Sequence, residues 1–438
     1  MEESKEIKMT ESNDKETPKV LDQDIKMSES NDRETSKVLE KESKMSESND
    51  RETSKVLEEE SKMTESNDKK TSNVLEEEIK MTESNDKKTS NVSKEDIDIL
   101  ILTHDDWCNT AYRFMKSLEM VGYKVKIFKG AEHIFGYPVQ APIRKSITDG
   151  YSGKDRKKRV VNIKNDPELV DMIKRAKVIN FHASHYFNVN GINWSEKKIV
   201  VTHGGSTYRD NTALNNSIFN KIASYTVIQC PDLLNKGAKN EHLIYYAVDT
   251  INIQPQFEFI DPECIIIGHF PSNPVTKCTE TINKVANSLS NMTFKNKFKY
   301  VGIQYNSKIP RSKYNIPWLK QLDRMSKCDI YIETCKELLH GFQFGEWGNT
   351  CIEASALGKI VITNSHTKEL YEKEYTKDYP VIIANNEKEL RENLINILNM
   401  NRQELLELKY KFRDWAEKNH SFEATGNRLK QKIYSKLI

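Results

Sequence analysis

From Asp96 onward the chain alternates short apolar runs with amphipathic stretches of helix length, and no other feature narrows its fold so far. A strand covered on both faces reads as an unbroken apolar run, whereas a strand with one wet face alternates, so this texture predicts a parallel sheet flanked by helices. DIDILILT is the opening strand. In the following HDDWCNTAYRFMKSLEMVGYKVKIF, Ala111, Phe114, Met115 and Leu118 fall at helical spacing, Gly122 ends the helix and KVKIF supplies a second strand. KVINFHAS, KIVVTH and YTVIQC are further strands, each running into a polar loop at its carboxyl end, where open α/β sheets place their sites.

The pattern then restarts. ECIIIGHF is a fresh buried strand, followed by helix TETINKVANSL, strand KYVGIQY, helix IPWLKQLDRMSKC, strand DIYIET, helix GNTCIEASALG and strands KIVITNS and VIIANN. A second opening strand about 170 residues after the first implies two sheets, hence two α/β domains with a cleft between them, divided near IYYAVDTINIQP. A single large sheet is the competing arrangement.

Residues 1–93 are of another kind. Five near-identical units of eighteen residues, the first being KMTESNDKETPKVLDQDI, begin at Lys8, Lys26, Lys44, Lys62 and Lys80. Each offers few apolar residues and a Ser-Asn-Asp triplet suited to turns, too little to recover ordering entropy by burial, so a disordered tail is expected. A docking array that folds on an unknown partner is the alternative. The tail holds 17 Lys/Arg and 26 Asp/Glu, which leaves 50 and 39 of the chain's 67 and 65 for the remainder. The α/β part is therefore strongly basic and favours anionic partners.

The seven cysteines are scattered, with no C-x-x-C pair and no His/Cys spacing suited to zinc, which points to a reducing compartment. His182 and His185 are three apart but find no third ligand, so no metal is expected. The start MEESKEIKMTESND has no basic segment followed by an apolar one, and no run approaches the roughly 18–20 apolar residues that span a bilayer. The expectation is a cytoplasmic protein.

Several stretches occur in a telling order: DWCNTAYRFMKSLEMVGYKV, VVTHGGS, IYYAVDTINIQP, GHFPSNPVTKCTETI, GEWGNTCIEASALGKIVIT and NHSFEATGNRLKQKIYSKLI. Over nearly all of 96–438 they resemble the GT-B glycosyltransferases, in particular the large retaining group numbered family 4. The most specific is GEWGNTCIEASALG, where Gly348, Glu353, Ala354 and Gly358 keep the family's spacing. The resemblance implies an α/β chain of two Rossmann-like domains: an acceptor-side domain over 94–254, a nucleotide-sugar donor domain over 255–420, and a closing helix in 421–438 that returns to the first. It also implies sugar transfer from a nucleotide-diphosphate sugar to a glycan, lipid-linked or protein acceptor, with retention and without metal or other cofactor.

Such a transfer needs the diphosphate leaving group stabilised and the sugar oriented. Lys277, at the end of a strand-to-helix loop, is the candidate clamp on phosphate, with the backbone N–H groups of Ser272 and Asn273 as further donors. Glu353 would, by resemblance, accept the ribose hydroxyls, and Gly348, Asn349 and Thr350 form the open helix start before it. His203 in VVTHGGS would, by resemblance, face the donor sugar as a hydrogen-bonding catalytic group.

The sequence also departs from the family. A second glutamate belongs eight positions before Glu353, and that position is Gly345. Glu346 is one residue late, so either it reaches by a local shift, or backbone groups substitute, or transfer is impaired. The phosphate loop lacks the arginine that often accompanies its lysine, leaving His269 and Asn273 nearby. The basic run Lys154, Arg156, Lys157, Lys158 and Arg159 is a solvated loop or, with a lipid-linked acceptor, a contact with an anionic membrane. Nucleic acid is not expected, because no aromatic-basic interleaving accompanies the charge. Two further readings stand beside the enzyme: a catalytically degenerate protein that only binds and recruits through its tail, and a nucleotide-sugar epimerase.

Overall fold

The computed structural model describes residues 96–104, 106–131, 133, 135–137, 160–163, 165–336 and 347–438. The repeat tail 1–93, the basic run 154–159, Gly345 and Glu346 lie outside the described residues.

Burial on both faces makes Ile97–Thr103 (β1) a central strand. Ile99 and Ile101 point to one face, where they meet Phe114 and Leu118, and Leu100 and Leu102 point to the other, toward Phe181 and Phe187. Around β1 stand Val125–Lys129 (β2), Ala176–Phe181 (β4), Lys198–His203 (β6), Tyr225–Ile228 (β7) and Glu241–Leu243 (β8), in the parallel order β2-β1-β4-β6-β7-β8. Val160–Ile163 (β3) and Tyr186–Val189 (β5) form a separate two-stranded parallel sheet. Helices Thr110–Met120 (α1), Pro167–Arg175 (α2), Gly205–Arg209 (α3) and Thr212–Phe219 (α4) belong to this half. Because β1 lies between β2 and β4, the strand order reverses there, the switch point at which open sheets place a crevice.

The second sheet is also wholly parallel. Cys264–His269 (β9), Lys297–Gly302 (β10), Ile330–Ile332 (β11), Ile360–Thr363 (β12) and Ile382–Ile383 (β13) take the order β10-β9-β11-β12-β13. Its helices are Thr279–Leu289 (α5), Trp318–Ser326 (α6), Asn349–Ala356 (α7), Lys368–Glu374 (α8), Glu387–Asn399 (α9) and Arg402–His420 (α10). A capping box between Asn401 and Glu404 starts α10. Its Arg413 donates to the carbonyls of Thr250, Ile253 and Ala356, which fixes the inter-domain linker to the end of α7.

At the amino ends of the second sheet, Lys409 of α10 donates to Asp329 at 2.9 Å and to the carbonyls of Phe257 and Glu258. Asp329 also accepts from the backbone of Ile260 and Ile266. Lys359 is buried beside this pair, and burial pushes its amine down to about 8.

Phe422–Lys432 (α11) leaves the second half and packs on α1. Leu429, Ile433, Tyr434 and Leu437 join the core of the first sheet, and Asn180 of β4 donates to the Tyr434 hydroxyl at 2.9 Å. A Cβ at Gly426 would overlap the Ser117 carbonyl oxygen, so the helix contact requires glycine there. The architecture is GT-B: two Rossmann-like domains about a cleft, tied by a C-terminal helix.

Candidate functional site

In the second domain the site grows from three strand ends. The β9 end carries His269, whose ring meets the Ile332 carbonyl at 2.7 Å and the Thr279 hydroxyl at 2.9 Å. It braces β9 against β11 and α5 from a buried position, and burial pushes it down to about 4. The loop that follows folds on itself, with the Lys277 amide donating to the Asn273 carbonyl at 3.0 Å and Cys278 in a left-handed conformation entering α5. This turn projects Lys277 toward the β11 end.

There Lys277 Nζ donates to Glu333 Oε1 at 2.8 Å. Glu333, 1% exposed, also accepts from the Gly348 amide at 3.1 Å, the Thr350 hydroxyl at 3.0 Å and the Thr363 hydroxyl at 3.0 Å. Gly348 precedes α7 with φ −80°, a conformation any residue adopts. Its glycine is needed instead for space, because a Cβ would overlap Glu333 Oε1.

One turn along α7, Glu353 is buried and ion-paired with Arg113 of α1, and Trp318 of α6 donates to it at 2.8 Å. Arg113 reaches further, to the Ala247 carbonyl at 2.9 Å and Asn349 Oδ1 at 3.2 Å, while Asn349 Nδ2 donates to the Cys108 carbonyl at 3.4 Å. The two domains are thus clasped at the floor of the cleft.

Above this clasp lies a cavity of about 450 Å³. Ser272, Asn273, Lys277, Gly348, Asn349, Thr350 and Glu353 all line it, so the second-domain residues singled out from the sequence and described here share one wall. Cys108, Gly205, Arg209 and Tyr246 face them from the first domain, and Phe270 and Trp318 add aromatic surface. Glu346, also singled out, falls outside the described residues.

His203 is placed differently. It ends β6 at 1% exposure, with its Nδ1 2.7 Å from the Ser184 hydroxyl and its ring stacked on Tyr208 at 4.1 Å between centroids. Burial pushes it down to about 3, so it is neutral, and its ring is not among the groups that line the cavity. The wall is reached two residues later by Gly205, at φ +58°. His182 is likewise buried, bound to the Thr110 hydroxyl at 2.8 Å and pushed by burial to about 3.

The first domain stores strain at these strand ends. Asp106, Cys108 and Asn109 after β1, and Ala183 and Ser184 after β4, all take left-handed backbone conformations that cost non-glycine residues on the order of 1–2 kcal/mol each. Asp106 closes the first of these loops by accepting from the Ala111 and Tyr112 amides, and burial raises its carboxyl to about 6.

Four side chains at the site carried little signal in the sequence. Arg113 sits in an amphipathic helix and reads as a surface residue; its partners lie far along the chain, at Ala247, Asn349 and Glu353. Glu333 ends an apolar run of three, and a carboxylate at the carboxyl end of a parallel strand was the available clue. Trp318 reads as a core aromatic. Arg209 pairs with Asp232 Oδ2 through both Nε, at 2.7 Å, and Nη2, at 2.6 Å. Among the described residues, Lys277 and Arg209 at the cavity and Arg113 in the clasp beneath it each face a carboxylate.

No protein-family model matches the chain, and no curated protein matches it. Among solved structures it is similar to sucrose-phosphate synthase from Thermosynechococcus elongatus, at 12% identity over 78% of this chain and 99% of that one, TM-score 0.49. It is similar to a glycosyltransferase from Rickettsia africae, at 14% identity over 78% and 99%, TM-score 0.45. A third is HepE from Anabaena in complex with UDP, at 12% identity over 77% and 100%, TM-score 0.47. No helix among the described residues is long and apolar enough to cross a membrane.

Proposed function

We propose that the chain is a glycosyltransferase that moves a sugar from a nucleoside-diphosphate sugar to an acceptor entering along the first domain, with retention and without a metal ion. One observation carries this reading: Lys277 and the first turn of α7 line the same cavity as Gly205 and Arg209 of the opposing domain. A lysine and a helix start aimed at one space suit a diphosphate, and the facing wall leaves room for a second substrate. Lys277 stabilises the leaving group as its charge develops. Glu353 accepts the ribose hydroxyls after exchanging part of its contact with Arg113 and Trp318. The first domain offers the Gly205 backbone at this wall, while the His203 ring is held between Ser184 and Tyr208.

Thermal unfolding with a panel of nucleoside diphosphates tests the reading. UDP and UDP-glucose are the first probes, being the ligands named for HepE. At least one diphosphate should raise the melting temperature, as about 2.7 kcal/mol of linkage at a hundredfold excess over Kd requires. The corresponding sugar nucleotide should be slowly hydrolysed. Stabilisation by none of them would end the proposal.

A second reading is a binding protein of the same fold with no transfer activity. It is favoured by the full engagement of Glu353 in the clasp and by glycine at position 345. Nucleotide binding without any donor hydrolysis would select it. The cytoplasmic setting and, with a lipid-linked acceptor, a membrane contact through 154–159 belong to the first reading; sedimentation with anionic vesicles checks the latter.

A further inference from the structure

We infer that Glu333 is an internal anion that competes with the incoming diphosphate for Lys277, so that the site holds its nucleotide loosely enough to release it. The inference rests on the nucleotide reading above.

A carboxylate offers about four lone-pair positions. Lys277 Nζ, the Gly348 amide, the Thr350 hydroxyl and the Thr363 hydroxyl supply four donors, so Glu333 has none left for a substrate hydroxyl. It therefore acts through its partners. Those partners are an ammonium, an amide at a helix start and two hydroxyls, the set a protein would offer to a phosphate. Here they converge on a side chain instead.

The arrangement is built. Thr363 holds the carboxylate from β12 below, and the missing Cβ at Gly348 is what lets it approach the amide. Both residues line the cavity, but Lys277 keeps 24% of its side chain exposed and Glu333 only 1%. A phosphate arriving there meets an ammonium already paired at 2.8 Å, and two anions share one cation. Drawing the ammonium off Glu333 costs part of what the phosphate gains from it, and this competition lowers affinity for the diphosphate. The extra charge that develops on the leaving phosphate then gains more from Lys277 than the intact donor does, which places part of the interaction in the transition state.

Calorimetric titration of UDP into the full chain, Glu333→Gln, Lys277→Ala and the double variant tests this. Glu333→Gln should bind UDP about tenfold tighter than the parental chain while melting at a lower temperature without ligand. A purely structural role would lower both. In the Lys277→Ala background the same change should alter affinity by less than about twofold, because the cation being contested is gone. Glu333→Met, which fills a similar volume without charge, is the second variant and should also tighten binding.

Unchanged or weaker UDP binding in both Glu333 variants overturns the inference alone, as does tightening that survives Lys277→Ala. A parental chain that binds no UDP while Glu333→Gln binds it supports the inference. Absence of binding by every variant, with UDP and with each other nucleoside diphosphate of the panel, overturns the nucleotide reading and takes this one with it.

Discussion

Asp329 and Glu333 bracket the same short strand, β11, and each faces a lysine at 2.8–2.9 Å. At the amino end, Lys409 and Asp329 are 0% and 1% exposed, and every neighbour of the lysine nitrogen is protein. At the carboxyl end, Glu333 is as deeply buried, but the pair lines a cavity onto which Lys277 opens. The chemistry of the two pairs is alike; access decides what each can do. A sealed pair can only hold chain segments together, whereas an open one can exchange its partner for a ligand.

The difference should show most strongly in stability. Lys409→Met leaves Asp329 buried without its counter-ion and should cost about 3–5 kcal/mol in denaturant unfolding, with UDP affinity unchanged in whatever fraction folds. Loss of UDP affinity at preserved stability would reverse the roles of the two ends.

Lys359, crowded beside the sealed pair, gives a pH signature. Its amine is at about 8 when folded, against 10.5 ordinarily. Between these values the unfolded chain holds a proton that the folded chain lacks, so this group's contribution makes stability rise with pH across that window. Lys359→Met removes a penalty of up to about 3 kcal/mol that is fully present below pH 8. The variant should therefore exceed the parental chain in stability near neutrality, and the gap should close by about pH 10.5; a gap independent of pH would contradict burial as the cause.

At the open end, Lys277→Ala should weaken UDP binding by about thirtyfold, roughly 2 kcal/mol, through loss of a charge-assisted contact. Its melting temperature should fall less than that of Lys409→Met, since Glu333 keeps three other donors. The smallest effect is that of salt. Raising ionic strength from about 0.05 to 0.5 M should weaken UDP binding several-fold while leaving the Lys409→Met penalty within about 0.5 kcal/mol, because only the open pair is screened. Equal salt sensitivity at both ends would erase the distinction.

Much of this was legible in the sequence because it follows from local rules. Two-sided burial wrote DIDILILT and ECIIIGHF as apolar runs, and they are β1 and β9. The loop from Ser272 to Lys277 and the α7 start could be found because a strand-to-helix turn presents donors wherever it occurs. Less legible were the features that need both domains. Arg113 is paired with Glu353, 240 residues away, and nothing within α1 announces it. The two-stranded sheet of β3 and β5 also escaped, since VVNI and YFNV are short and mixed in polarity.

His203 shows the limit from the other side. A histidine followed by two glycines at a strand end suggests a group facing substrate, yet the same turn lets Ser184 and Tyr208 enclose the ring, and the backbone at Gly205 reaches the cavity instead. Periodicity fixes which strand end a residue occupies but not whether its side chain turns inward or outward.

The most direct test of the account is a crystal structure of the full chain grown with UDP. The account requires diphosphate oxygens within about 3.2 Å of Lys277 Nζ and of amides in the first turn of α7, between the two sheets. UDP bound elsewhere, or Lys277 remaining on Glu333 with no phosphate contact, would contradict it.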